Sequence, residues 1–257
     1  MSSSTKKSEA SSPEKTVLSL PHGRMVVLEE LDEEKTEHTS LVDLAREGKG
    51  EGYVRYNRTA ENTVNTSDAP GMVLRILIRP AMHAQAAGRL AAITAVAVAR
   101  ALERYSDMQI GIRWLNDLYC GSRRMATMFT HAQTKPDGYF DYAVIRVAIA
   151  IADEDFPPRL GDVIRRVFNN ETISLSALLA EAIVQEFFSI YDDVTLHPAY
   201  MEEYRKRSTV IGRRVKVLVD GGYAVGRIAD IDENACPVVR LHRKRTVTVK
   251  SRSEIVL

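Results

Sequence analysis

The chain has 257 residues, 45% of them hydrophobic and 27% charged, with a net charge of +1; this is the balance of a soluble globular protein with a sizeable core in one or two domains. No apolar run reaches the ~18–20 residues that cross a bilayer, and Met1 to Lys15 lacks the apolar stretch of a secretory leader. Cys120 and Cys236 fit no metal spacing and suit a reducing cytoplasm better than a disulfide.

Met1 to about Leu20 is polar and Ser-rich and reads as a disordered tail, closing at residue 23. Arg24 to Leu28 is a first strand. Thr39 or Ser40 caps a short helix through Arg46, which Gly48 and Gly50 end. Gly52 to Arg55 is a short strand, and the polar stretch from Asn57 to Pro70 is a loop. In the strand Gly71 to Pro80, Met72, Leu74, Ile76 and Ile78 share one face and Val73, Arg75, Leu77 and Arg79 the other. Ala84 to Glu103 is an Ala-rich helix, apolar nearly all round and so buried.

Gln109 to Trp114 is a strand that leads into an Asn116-Asp117 turn. Met125 to Thr130 and Tyr139 to Ile151 are strands joined across Lys135-Pro136-Asp137-Gly138, in which proline presets φ and glycine accepts a positive one. A helix starts at Ser174. A charged link from Pro198 to Arg207 then gives way to short, closely spaced strands at 215–219, 224–231, 238–242 and 247–250, the texture of a small barrel beginning near Tyr204. Thirteen Arg or Lys stand between Arg205 and Arg252, which reads as a solvated basic face or as a surface for an acidic partner.

Several segments, in order, resemble biotin protein ligases. Arg113-Trp114-Leu115-Asn116-Asp117-Leu118-Tyr119 resembles the family's K-W-P-N-D-[IL]-Y, and Arg123 to Phe129 its R-K-[LV]-[AG]-G-[IL]-L. The strand ending at Ile78-Arg79-Pro80 and the basic C-terminal stretch fit as well. The resemblance implies an α+β fold of the class II synthetase type over residues 24–203, with an SH3-like small β-barrel over residues 204–257. It also implies a two-step reaction in which biotin and ATP, with magnesium, give biotinyl-AMP, which then acylates a lysine of a biotin carboxyl carrier domain. With about twenty residues ahead of the first strand, the helix-turn-helix of the family's repressors is expected to be absent. A homodimer is a second expected partnership, and no membrane association is expected.

The same resemblance exposes departures. Activating a carboxylate with ATP requires cations where phosphate charge builds. The family supplies them from a loop G-R-G-R-x-G-R-x-W, whereas Asn57 to Asn65 keeps only Arg58 and has neither glycine nor Trp. The family lysine falls at Arg124, a planar fork in place of a compact ammonium. The family strand G-x-G-x-N falls at Arg146-Val147-Ala148-Ile149-Ala150. There Arg146, Ala148 and Ala150 share a face and Arg146 intrudes on the ligand space, with Asp117 a candidate partner for its charge. The family's early S-T-N reads His38-Thr39-Ser40.

Asp117 and Arg124 are thus the candidate catalytic pair, and Trp114, Asn116, Arg58 and Arg146 the candidate ligand contacts. Asn116-Asp117 also suits a plain turn, and Trp114 a core position; His83, His131 and His197 have no metal spacing. The function these residues favour is a ligase scaffold with impaired catalysis that acts by binding a carrier or a second copy. An active acyl-protein ligase is the alternative, and needs Arg58, Arg124 and Arg146 to replace the lost cations. Nucleic-acid binding through the basic C-terminal region is a second alternative, weakened by its few aromatic residues, Tyr204 and Tyr223.

Overall fold

A computed structural model describes residues 15–31, 40–59, 71–150, 175–193, 199–242 and 245–256. Residues 1–14 of the polar tail, most of the 57–65 stretch, His38-Thr39 and His197 lie outside the described residues. Strands β1 (Lys15–Ser19), β2 (Met25–Glu30), β3 (Tyr53–Thr59), β4 (Gly71–Ile78), β5 (Ile110–Arg113), β6 (Asp117–Cys120), β7 (Arg123–Thr134) and β8 (Phe140–Ala150) form one sheet in the order β1-β2-β3-β4-β8-β7-β6-β5. Residues 15–19, which the sequence assigned to the tail, instead make β1. Thr16, Val17 and Leu18 are extended-chain formers and pair antiparallel with β2 in a hairpin.

The β2–β3 pair is parallel and is bridged by α1 (Leu41–Arg46). Ser40 caps that helix, its hydroxyl accepting from the Asp43 N–H at 3.2 Å while the Asp43 carboxylate accepts from the Ser40 N–H.

Alternation divides the sheet into two faces. Val26, Val54, Met72, Leu74, Ile76, Ile145, Val147 and Ile149 belong to the main core, packed under α2 (Ala87–Arg104) and α3 (Leu175–Asp193). α2 is buried on most sides, as its alanines predict, because small side chains let the sheet, α3 and α4 (Ala199–Arg207) approach together. On the opposite face α1 packs Leu41 and Ala45 over Tyr53, Leu77, Tyr142 and Val144. No helix among the described residues is long and apolar enough to cross a membrane.

An ionic seam ties α2 to α4. Arg207 Nη2 donates to Glu103 at 2.8 Å and Arg207 Nε to Glu203 at 2.8 Å, and Arg100 Nε reaches Glu203 at 3.0 Å. Burial alone would raise Glu103 and Glu203, but the arginine hydrogen bonds outweigh it and hold both carboxyls below their ordinary range. A carboxyl depressed in the folded state contributes stability above its unfolded pKa, about 4.3, and that stability is lost as pH falls through the folded value. The melting temperature is therefore expected to hold from about pH 7 to about pH 5 and to drop steeply below about pH 4. A comparable drop already between about pH 7 and about pH 5 would contradict this assignment.

Past α4 the chain runs along β5. Ser208 bridges Ile112, and the Thr209 N–H donates to the Ile112 carbonyl at 2.8 Å. The boundary expected near residue 204 falls inside α4, where Tyr204 is fully buried and donates to the Leu115 carbonyl at 3.1 Å. A second, antiparallel sheet follows, with β9 (Arg214–Val219), β10 (Gly222–Ile231), β11 (Pro237–Arg240), β12 (Thr246–Thr248) and β13 (Ile255–Val256) in the order β12-β11-β10-β9-β13. Where the sequence led to a closed barrel, the described residues make an open sheet, because the short strands β12 and β13 form its two edges and do not pair with each other.

Candidate functional site

The strand registers bring charged residues into rows on the α1 face. One row runs Lys15, Glu29, Arg55, Arg75, Arg146, Phe129 across β1, β2, β3, β4, β8 and β7. In its first half two cations share one carboxylate. The Glu29 carboxylate accepts from Arg55 Nε at 2.7 Å and from the Tyr53 hydroxyl at 3.1 Å, and it pairs with Lys15 at 3.2 Å. Burial would raise the Glu29 carboxyl, but the Arg55 and Lys15 hydrogen bonds prevail and hold it low.

In the second half, Arg75 Nη1 donates to Asn57 Oδ1 at 3.0 Å. Arg146 is half-buried and has no carboxylate partner among the described residues. Burial first, and the Arg75 charge second, push its guanidinium below the usual arginine range. Next to it, Val73, Ala148 and Ala150 form a small buried floor on the same face. Arg146, Ala148 and Ala150 thus share a face, as strand alternation predicts.

A second row runs Asn57, Val73, Ala148, Thr127, Asp117, Arg113. Asp117 is 4% exposed, and its Oδ1 accepts from the Thr127 hydroxyl at 2.7 Å. The candidate Asp117–Arg146 pair does not form. Arg146 lies two strands away in a different row, and the cation beside Asp117 is Arg252, with Nη2 at 3.7 Å from Oδ2. Arg113 lies over the Tyr119 ring at 3.9 Å and donates to its hydroxyl at 3.0 Å, while its buried Nε has no partner among the described residues. Arg124 sits across the ladder from Tyr119. Arg58 alternates to the other side of β3, opposite Met72 and in line with the core residues Val54 and Tyr56, and is exposed.

Trp114 and Asn116 lie in the β5–β6 turn. Trp114 is 2% exposed, and its Nε1–H donates to the Ala235 carbonyl at 2.7 Å, which joins the two sheets. The Asn116 side-chain amide donates to the Met128 carbonyl. Both line a cavity of about 640 Å³ between the start of α2, the middle of β7 and the 232–236 turn. The structure therefore assembles Asp117, Arg124 and Arg146 on one sheet face and places Arg58, Trp114 and Asn116 elsewhere.

Sequence reasoning missed Arg75, Arg113 and Arg252. Arg75 carried a signal, being a cation in the middle of an apolar strand; Arg252 carried none, since only the tertiary fold brings it to Asp117. Among the described residues no cluster of three His, Cys, Asp or Glu could hold a metal ion. Asp117, already bonded to Thr127 and next to Arg252, does not by itself provide for magnesium.

Comparison with known proteins bears on the fold. No protein-family model matches the chain. The bifunctional ligase/repressor BirA of Bacillus spizizenii is 24% identical over 100 residues, and that of Bacillus subtilis 25% identical over 101 residues. Each match covers 38% of this chain and 31% of the relative, so the matched segment spans about a third of those proteins. Among solved structures, a biotin protein ligase-like protein of unknown function from Silicibacter sp. TM1040 superimposes with a TM-score of 0.64 at 14% identity, covering 91% of this chain and 97% of that one. The Aquifex aeolicus biotin protein ligase in complex with biotin and ATP gives a TM-score of 0.58 at 13% identity, covering 88% of this chain and 95% of that one. The chain has the fold of the biotin protein ligases.

Proposed function

We propose that this chain is a divergent biotin protein ligase relative that binds a ligand on the α1 face of its large sheet and has little or no capacity to form an acyl-adenylate. The observation that carries the reading is Arg146, whose long cationic side chain stands beside Ala148 and Ala150 on the face where the resemblance requires glycine and open space. The departures at residues 57–65 support it, since that stretch lacks the glycines through which backbone approaches phosphate. In the same reading the second sheet is the SH3-like module, the location is cytoplasmic, and the partner is a biotin carboxyl carrier domain or a second copy. β7 offers an edge for the latter, because β6 pairs with it only as far as Thr127 and residues 129–134 are exposed.

A second reading, an active acyl-protein ligase, is favoured by the arginines around Asp117, since Arg113, Arg124 and Arg252 gather cations at one end of the face. Incubation with biotin, ATP and magnesium separates the two. The expected result is no pyrophosphate above the blank while a ligase of the family turns over alongside, together with retention of a carrier domain or of a second copy without label transfer. Pyrophosphate release and carrier labelling near the control rate would reverse the assignment. A solution mass of one chain, with no carrier retained, would remove both proposed partners.

A further inference from the structure

In the row Arg75, Arg146, Phe129, Arg146 has no carboxylate partner among the described residues. Arg55 pairs with Glu29, and Arg75 donates to Asn57. Arg146 itself has Arg75 as its cross-strand partner. A half-buried cation facing another cation destabilises the fold unless an anion joins them. The two arginines are direct cross-strand partners on β4 and β8, strands that lie roughly 4.8 Å apart. Two planar guanidinium forks so close can share the oxygens of one small anion. Phe129, the cross-strand partner of Arg146 on β7, is 56% exposed and presents an apolar ring immediately beside that anion.

We propose that Arg146, with Arg75 beside it, is an anion site that takes the carboxylate or phosphoryl head of a small ligand whose apolar body lies over Phe129. This rests on the reading that the α1 face is the ligand face. It goes further in naming the ligand chemistry, an anionic head with an apolar body.

The test is thermal melting of the full chain at matched ionic strength with sodium chloride, acetate, hexanoate or inorganic phosphate, for the natural sequence, Arg146→Met and Arg146→Lys. Without added anion, Arg146→Met is expected to melt about 2–4 °C higher, because it removes the charge conflict. Acetate or phosphate should raise the melting point of the natural chain and of Arg146→Lys but not of Arg146→Met, and whichever acts identifies the head group. Hexanoate should act at roughly tenfold lower concentration than acetate, a difference that Phe129→Ser removes.

No shift with any anion, or equal shifts with and without Arg146, overturns the site. Equal potency of hexanoate and acetate overturns the role of Phe129. A chain that fails these tests and also makes no pyrophosphate loses only this inference. One that passes them and makes pyrophosphate loses only the reading of impaired catalysis.

Discussion

Replacing Gly88 with alanine is expected to lower the melting temperature by roughly 4–8 °C, although on helix propensity alone it should raise it. Gly88 is the second residue of α2, and a Cβ built there would lie 2.0 Å from the Asn234 carbonyl oxygen and 3.1 Å from its carbon. A flexible side chain could yield to such a clash, but this obstacle is backbone. The 232–236 turn is itself pinned, because the Asp232 carboxylate accepts from the Asn234 N–H at 2.9 Å and the Cys236 N–H at 2.8 Å. Gly→Ala in a helix gains about 1 kcal/mol intrinsically, whereas overpacking a well-fitted contact costs roughly 1–3 kcal/mol and occasionally more. With so short a distance to an immovable carbonyl, overpacking prevails, and the C-terminal sheet should loosen from α2. Limited proteolysis after Arg207 or Arg213 should quicken together with the fall in melting temperature. A rise in melting temperature would show that the joint relaxes freely and would refute the argument.

Trp114→Ala is expected to cost roughly 3–5 kcal/mol, the range for a large buried aromatic. Trp114→Phe should cost only about 1–3 kcal/mol, since the ring volume is largely kept and the main loss is the donor to the Ala235 carbonyl. The two substitutions divide the residue's contribution into packing and a single hydrogen bond, and urea unfolding of both variants reads the difference. If the phenylalanine variant were as unstable as the alanine variant, the indole N–H would be carrying the joint. If it matched the natural chain, the carbonyl would have found another donor.

Much of this architecture is legible in the amino-acid order, and the limits have physical causes. The alternation of Met72, Leu74, Ile76 and Ile78 reports one buried face directly, and the same period of two puts Arg146, Ala148 and Ala150 together without any knowledge of neighbours. Which residue faces Arg146 across the ladder is a different kind of information. The Arg75–Arg146 register follows from pairing between strands far apart in sequence, and no local pattern encodes it. Arg58 shows how a strand end misleads. Polar composition from Asn57 onward suggested a loop, yet β3 continues to Thr59, and the extra residues set Arg58 on the side opposite Arg55 and Asn57. The barrel expectation stopped at a similar limit, since strand length and turn spacing predict antiparallel neighbours but not whether the first and last strands meet. Trp114 combined both situations, a core residue by composition whose polar atom finds its partner only once the second sheet has docked.

The path taken after α4 has a consequence for how the large sheet meets other chains. β5 is the terminal strand on that flank, and its outward carbonyls are already occupied, Ile112 by the Thr209 N–H and Ile110 by Arg207 Nη1 at 3.3 Å. An incoming strand finds no vacant row of acceptors there, so open-ended stacking of copies through that margin is blocked by the protein's own linker. Self-association by strand addition is thereby steered away from β5, and the same residues that lead into the second sheet act as a guard against fibrous growth.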